Sequence, residues 1–138
     1  MKILAIDPGS KRIGLAISDV TGSIANPLLV INHTNRHDDA IQVARLVETN
    51  EVKRIVVGQS LDENGVPTFE GRRSQRFVDE LRIHTNIPVI LWDESLTTND
   101  AREARLMMGV KRKDRSGHLD SLAAVVLLQS YLDSIHAS

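Results

Sequence analysis

Residues 2–19 read KILAIDPGSKRIGLAISD, two apolar runs separated by a turn that begins at Asp7. The first run, 2–7, predicts a buried strand that ends on a carboxylate, and the run 13–19 predicts a second strand. Asp-Pro-Gly-Ser is also strong turn chemistry, so Asp7 has a structural explanation beside any functional one. The choice between the two depends on whether other acids reach the same place.

The elements predicted after this pair alternate between strands and helices. Residues 23–31 predict a third strand, joined to the second through a turn at 21–23. Then follow a helix capped by Asp38 or Asp39, a strand at 53–60, a helix at 71–84, a strand at 88–94, a helix from Thr97 or Thr98 to Met108, a polar loop at 109–118 and a helix from Asp120 to Ile135. Strands joined through helices are expected to be parallel. The predicted class is therefore α/β, a mixed sheet with a three-strand antiparallel meander plus parallel strands, flanked by helices.

Length and composition predict one domain over residues 1–138, long enough to bury a core. The chain has no cysteine, which excludes disulfides, thiolate metal sites and a thiol nucleophile and suits a reducing cytosol. It shows no signal-peptide pattern, and no apolar run approaches the roughly 18 residues that span a bilayer, so no membrane contact is expected. Because the net charge is −1, attraction to nucleic acid must come from a local basic patch.

Three carboxylates fall where predicted elements meet one edge of the sheet. Asp7 ends the first strand, Glu94 ends the last strand and Asp120 begins the last helix. Together they would repel one another unless a hard divalent cation joined them, and two such ions about 3.5–4 Å apart can hydrolyse a phosphodiester. Taken singly, each acid also fits a turn, a solvated strand end or a helix-dipole role, so position alone leaves both interpretations open.

Four segments together resemble the YqgF family, whose members are described as Holliday junction resolvases or as pre-16S rRNA nucleases. IDPGSKRIGLAISD at 6–19 matches the family's opening pattern D-x-G-x-K-R-I-G-x-A. VVGQSLDENGVPT at 56–68 is similar to its V-G-L-P loop, and WDESLTTNDAR at 92–102 to its D-E-R-L-T-T segment. HLDSLAAVVLLQSYLD at 118–133 is similar to its D-x-x-A-A-x-x-I-L-Q-x-Y-L ending. The matches run in order over essentially the whole chain.

This resemblance implies a ribonuclease H-like fold and a metal-dependent endonuclease that hydrolyses phosphodiester bonds in structured nucleic acid. It implies that Asp7, Glu94 and Asp120 are both the catalytic residues and the metal ligands, for Mg²⁺ or Mn²⁺ and with two ions expected. The favoured substrate is the 5′ end of the 16S rRNA precursor, processed during ribosome biogenesis in the bacterial cytoplasm, with ribosomal particles as further candidate partners. Branched DNA is the alternative substrate, and monomer and homodimer both stay open. His118 is a candidate accessory ligand or proton carrier, although a helix-end role explains it equally well.

Basic residues near these acids predict the surface that would contact nucleic acid. Lys11 and Arg12 follow the first strand and are placed to hold a scissile phosphate. Two further clusters consist of Arg72, Arg73 and Arg76, and of Lys111, Arg112, Lys113 and Arg115. A charge cluster is usually a solvated face, but beside a metal nuclease site it favours phosphate contacts, which supply most sequence-independent affinity.

Two interpretations from other classes stay open. The opening pattern D-x-G-x-x-x-x-G-x-A also fits the phosphate-binding turn of actin-like nucleotide-binding proteins, although one domain of 138 residues is about the size of a single lobe of such proteins. The other is a non-catalytic RNA-binding factor. The sequence departs from the family pattern at Gln59 and Ser60, where Leu-Pro is usual, and at Ser95, where an Arg beside Glu94 is usual.

Overall fold

The computed structural model describes residues 1–94 and 116–137, and the side chains of residues 116–120 lie outside that description. The described elements are β1 (Lys2–Pro8), β2 (Arg12–Ser18), β3 (Ala25–Asn32), α1 (Arg36–Thr49), β4 (Val52–Gln59), α2 (Phe69–His84), β5 (Val89–Asp93) and α3 (Ser116–His136). The predicted order of strands and helices is confirmed over these ranges. The helix predicted from Thr97 or Thr98 to Met108 lies outside the described residues.

The strands form one mixed sheet in the order β3-β2-β1-β4-β5. β2 is antiparallel to both β1 and β3, while β4 is parallel to β1 and to β5. The predicted combination of an antiparallel meander with parallel strands is therefore confirmed. β1 occupies the centre of the sheet, which explains why Ile3, Leu4, Ala5 and Ile6 are consecutive apolar residues with no exposed surface.

Side chains alternate between the two faces of the sheet, and each face packs against different helices. Leu4 and Ile6 of β1 belong to the core under α1 and α2, whereas Ile3 and Ala5 belong to the core under α3. The same alternation places Asp7 on the α3 face, at the carboxyl end of the central strand.

The helix α3 runs antiparallel to β4. Tyr131 accepts a 2.7 Å hydrogen bond from Arg54, near the start of β4. Leu127, one turn earlier in the helix, packs beside Gly58 near the end of the same strand. The first turns of α3 therefore point towards the carboxyl ends of β1, β4 and β5. None of the helices within the described ranges is long and apolar enough to cross a membrane.

The N-cap of α1 is Asn35, so the predicted cap at Asp38 or Asp39 is wrong. The Asn35 side chain accepts a 2.8 Å hydrogen bond from the backbone N–H of Asp38. Asp39 is instead buried, and its carboxylate accepts from the backbone N–H of Thr34 and lies 2.5 Å from Nδ1 of His33. These tertiary contacts keep the Asp39 carboxylate inside the protein, although the sequence predicts it as a helix cap.

The other two helices begin earlier than predicted. Thr68 caps α2 by accepting from the backbone N–H of Gly71, so the helix starts at Phe69. The helix α3 starts at Ser116, so residues 116–118 are helical and not part of a loop. Asp120 consequently lies in the second turn of α3 and not at its first position.

Candidate active site

Asp7 and Glu94 lie side by side at the carboxyl edge of the sheet. Asp7 is the penultimate residue of β1, and Glu94 directly follows β5. The two carboxyl groups are hydrogen-bonded, with Glu94 donating to Asp7. The structure thus brings together two of the three acids that the sequence predicts to form one site, across the intervening strand β4.

Gly58 of β4 leaves the space that the Glu94 side chain occupies. A Cβ at position 58 would lie 2.5 Å from Oε1 and 2.9 Å from Cγ of Glu94, and 3.0 Å from Cδ2 of Leu127. Any larger residue would therefore displace the carboxylate. Gly58 is not among the site residues predicted from the sequence, although a glycine inside a buried strand is a general sign of close approach.

Burial raises the pKa of the Glu94 carboxyl from 4.5 to about 8. Desolvation is the largest cause, and the hydrogen bond to Asp7 and the negative charges of Asp7, Asp93 and Glu70 add to it. At neutral pH the two carboxyl groups therefore share a proton. When a divalent cation binds, it takes the place of this proton and neutralises both acids. This all-oxygen donor set fits Mg²⁺ or Mn²⁺.

We expect the metal-free protein to lose stability as the pH rises from about 4.5 towards 8. The folded-state pKa of Glu94 lies above its unfolded value, so between the two the folded state keeps a proton that the unfolded chain has released. The stabilisation is complete below the unfolded pKa and is lost as the pH rises through the folded pKa. Urea unfolding in EDTA at about pH 5 and pH 8 measures the fall in the free energy of unfolding.

The matched control for this measurement is Glu94→Gln, which keeps a neutral hydrogen-bonding group and cannot titrate. Because Glu94 shares its proton with Asp7, the difference between the two proteins reports the titration of this coupled pair. The variant should show a smaller fall in stability between the two pH values. Equal falls in the two proteins would show that Glu94 does not titrate in this range.

Asp120, the third predicted acid, lies in α3. Helical register puts it seven residues before Leu127, which packs beside Gly58. At about 1.5 Å of rise per residue, position 120 is about 10 Å further along the helix axis towards the strand ends. The side chains of Asp120 and His118 lie outside the described part of the chain, so their roles stay predictions.

The basic residues predicted to contact nucleic acid divide into two groups. Lys111, Arg112, Lys113 and Arg115 lie outside the described residues. Lys11 is exposed in the turn between β1 and β2, and Arg12 begins β2. Because Ala16 of β2 belongs to the core under α3, strand alternation places Arg12 on the same face of the sheet as Asp7.

Arg72 and Arg73 flank an exposed aromatic ring at the start of α2. Their guanidinium groups lie 5.9 Å and 5.6 Å from the centroid of Phe69, which is 61% exposed. Arg73 also forms a 3.0 Å ion pair with Glu70. The charge of Glu70 contributes to the raised pKa of Glu94, so the start of α2 interacts electrostatically with the acidic pair. Arg76 is exposed one turn further along the helix.

Gln59 and Ser60, where the sequence departs from the family pattern, are held by hydrogen bonds to α2 and to its N-cap residue. Gln59 is buried, and its Nε2 donates to the carbonyl oxygen of Gly71 at 3.2 Å. The carbonyl oxygen of Ser60 accepts from both the backbone N–H and the hydroxyl of Thr68. The polar residues at this position thus connect the end of β4 to the first turn of α2.

A mixed sheet of this order, flanked by helices and with paired acids at its carboxyl edge, has the predicted ribonuclease H-like fold. Over residues 1–134 the chain matches the family model of the Holliday junction resolvase RuvX, and it belongs to that family. The predicted family and fold are confirmed, and membership of a nuclease family confirms the predicted class of phosphodiester hydrolase.

Relatives and solved structures agree with this assignment. A "Putative pre-16S rRNA nuclease" of Thermoanaerobacter pseudethanolicus is 39% identical, and the match covers 97% of each chain. A protein of the same name from Syntrophus aciditrophicus is 41% identical over 98% of this chain and 90% of its own. Among solved structures, RuvC of T. thermophilus in complex with Holliday junction substrate superposes with a TM-score of 0.64 at 18% identity. The match covers 100% of this chain and 98% of RuvC. The fowlpox virus Holliday junction resolvase gives a TM-score of 0.60 at 15% identity, covering 97% and 99%. These two likenesses concern the fold.

Proposed function

We propose that this protein is a metal-dependent endonuclease that processes the 5′ end of the 16S rRNA precursor during ribosome biogenesis in the cytoplasm. The observation that carries the proposal is the hydrogen-bonded pair of Asp7 and Glu94 at the carboxyl edge of a ribonuclease H-like sheet. RNA is favoured as the substrate because relatives at 39% and 41% identity, matched over nearly their whole length, carry the name of a pre-16S rRNA nuclease.

The proposed metal ligands are Asp7, Glu94 and Asp120, which would hold two Mg²⁺ or Mn²⁺ ions. When bound, such ions activate a water molecule and stabilise the leaving oxygen of a phosphodiester. Glu94 must first release the proton that it shares with Asp7, and Gly58 keeps its carboxylate in place beside β4. His118 is proposed as an accessory ligand or proton carrier two residues from Asp120.

The proposed nucleic-acid surface combines the basic residues around this edge of the sheet. Its members are Lys11, Arg12, Arg72, Arg73, Arg76, Lys111, Arg112, Lys113 and Arg115. A cavity of about 320 Å³ beside the end of β1 has two cations, Arg36 and Arg73, in its lining, together with the buried Asp39. Cations of this surface would hold the phosphates that flank the cleaved bond.

Replacing Lys111, Arg112 and Lys113 together with Ala should weaken RNA binding and flatten its salt dependence. Up to about three fewer counterions would be released, since each lost phosphate contact removes roughly 0.7–0.9 from the slope of log K against log salt. Fluorescence anisotropy over a salt series measures that slope. The control replaces Arg45 and Lys53, two exposed cations of α1 and of the opposite end of β4, and should leave the slope unchanged. A wild-type slope in the triple variant would exclude phosphate contact by this segment.

Resolution of Holliday junctions is the second candidate function. It is favoured by the description of the family model and would act on branched DNA. A homodimer would suit a two-fold symmetric junction and a monomer would suit RNA trimming, so sedimentation of the purified protein bears on the same choice. Co-sedimentation with immature small ribosomal particles tests whether such particles are partners of the protein.

The deciding experiment incubates the purified protein with labelled 16S rRNA precursor and with four-way DNA junctions, in Mn²⁺ or in EDTA. We expect Mn²⁺-dependent cleavage of the precursor, abolished by Asp7→Asn. Cleavage of junctions alone would replace the proposal with the second candidate. Binding to RNA without cleavage in either metal condition would favour a non-catalytic RNA-binding factor. Stabilisation by nucleotide alone would favour the actin-like interpretation.

A further inference from the structure

The described residues contain a second group of metal-ligating side chains, away from the acidic pair. It consists of His37 in the first turn of α1 and of Glu80 and His84 in α2, whose ligand atoms all lie within 4.8 Å of one another. Both helices cover the face of the sheet opposite α3, whereas Asp7 lies on the α3 face. The two groups are therefore separated by the sheet itself.

One carboxylate oxygen organises this group. Oε2 of Glu80 lies 2.8 Å from Nε2 of His84 and 3.3 Å from Nδ1 of His37. Glu80 and His84 are four residues apart on α2 and so lie on the same side of the helix. His37 is 43 residues from Glu80 in sequence and is brought to it by the packing of α1 against α2. Tertiary structure thus completes a set that no sequence motif reveals.

We propose that His37, Glu80 and His84 bind one divalent transition-metal ion, with Zn²⁺ as the preferred class, and that water completes the coordination. Imidazole nitrogens favour Zn²⁺ and its neighbours in the first transition row over Mg²⁺. Ligand atoms about 2.0–2.1 Å from a tetrahedral Zn²⁺ are about 3.3 Å apart. The separations of 2.8 Å and 3.3 Å from Oε2 of Glu80 approach that value, and the ligand atoms of the two imidazoles lie within 4.8 Å of each other, so binding requires side-chain shifts that draw the two rings together.

Access from solvent supports the same inference. The His37 side chain is 60% exposed and those of Glu80 and His84 are about one-fifth exposed, so an ion can enter without opening the core. Bound there, it would connect the start of α1 to the end of α2. In the absence of metal the two imidazoles hydrogen-bond to Glu80. When the same nitrogens bind a metal as neutral imidazoles, each proton they carried moves to the other nitrogen of its ring or is released to water.

The test titrates Zn²⁺ by calorimetry into the EDTA-treated, dialysed full chain carrying Asp7→Asn, which weakens ion binding at the acidic pair. Co²⁺ titration of the same protein, followed by visible absorption, reports the coordination geometry. We expect one saturable site with a tetrahedral Co²⁺ spectrum and a melting temperature that rises with Zn²⁺. His37→Ala should weaken Zn²⁺ binding at least tenfold and remove the thermal shift.

The matched control is His136→Ala, which removes a histidine that bonds to the carbonyl oxygen of Gly22 at the far end of α3. It should leave Zn²⁺ affinity unchanged. Glu80→Gln serves as a second variant, because it keeps the shape of the side chain and removes its charge, and it should also weaken binding at least tenfold. The proposal is overturned if no saturable site is found, or if His37→Ala and Glu80→Gln bind Zn²⁺ as the parent does.

Discussion

Asp7→Asn should lower metal-dependent cleavage by orders of magnitude while leaving the metal-free protein at least as stable as wild type. The amide keeps the shape of the side chain and removes the negative charge that two neighbouring dications require. Without metal, the change removes a partly buried negative charge that raises the pKa of Glu94, and the Asn side-chain oxygen can still accept the hydrogen bond from Glu94. Stability and activity are therefore expected to move in opposite directions.

Thermal melts with and without Mn²⁺ measure the stability side of this prediction. Wild type should gain about 2.7 kcal/mol when the free metal is a hundredfold above its dissociation constant, and Asp7→Asn far less. Asp79→Asn is the matched control, because Asp79 is exposed on α2, where its carboxylate lies 4.0 Å from Arg82. It should respond to Mn²⁺ like wild type.

The competing interpretation of Asp7 as a turn residue makes a different prediction. Asn is also a good turn former, so the substitution would change little and metal would not distinguish the two proteins. If wild type and Asp7→Asn melt alike in every condition, Asp7 belongs to the turn. The proposed nuclease mechanism would then lose its main support.

The elements of the fold were predictable because their signals are local. Apolar runs such as 2–7 and 53–60 are short, bounded by turn residues and buried on both faces, so composition alone identifies them as strands. Their ends fall within two residues of the prediction, the largest shift being at the start of β3. The convergence of Asp7 and Glu94 followed from the same reasoning, because carboxyl ends of parallel strands share one edge.

The features that sequence did not predict depend on contacts between distant residues. Asp39 was assigned to a helix cap because its sequence neighbourhood suits one, but His33 and Thr34 hold it in the interior. Gly58 has an ordinary place in an apolar run, and its importance appears only when Glu94 is seen to occupy the space above it. Neither contact produces a periodic pattern in the sequence, since each joins residues that lie in different parts of the fold.

Gly58→Ala should lower activity by about a hundredfold, because displacement of a catalytic group by 1 Å can cost that much. The added methyl would lie 2.5 Å from Oε1 of Glu94, so the carboxylate must shift from its place beside Asp7. The other close atoms are Cγ of Glu94 and Cδ2 of Leu127, which both belong to flexible side chains, so the fold should survive. Mn²⁺ affinity from the fluorescence of Trp92, which lies two residues from Glu94, should fall together with the cleavage rate.

Gly71→Ala provides the contrasting substitution. A Cβ at position 71 would lie 2.1 Å from the backbone carbonyl oxygen of Ser60, and backbone cannot yield as a side chain can. This variant should lose about 1–3 kcal/mol of stability, the usual cost of overpacking. Gly58→Ala, by contrast, should melt close to wild type while it loses metal affinity.

A double-mutant cycle with Glu94→Asp tests whether Gly58 acts through Glu94. Asp is one methylene shorter, so in wild type the substitution withdraws the carboxylate and should reduce Mn²⁺ affinity. In the Gly58→Ala background the same shortening removes the 2.5 Å contact with Oε1 and leaves only that with Cγ, so the second change should cost less than it does alone. Additive losses would mean that position 58 affects the site by another route. A coupling of the expected sign would establish that the glycine is present to make room for the Glu94 carboxylate beside Asp7.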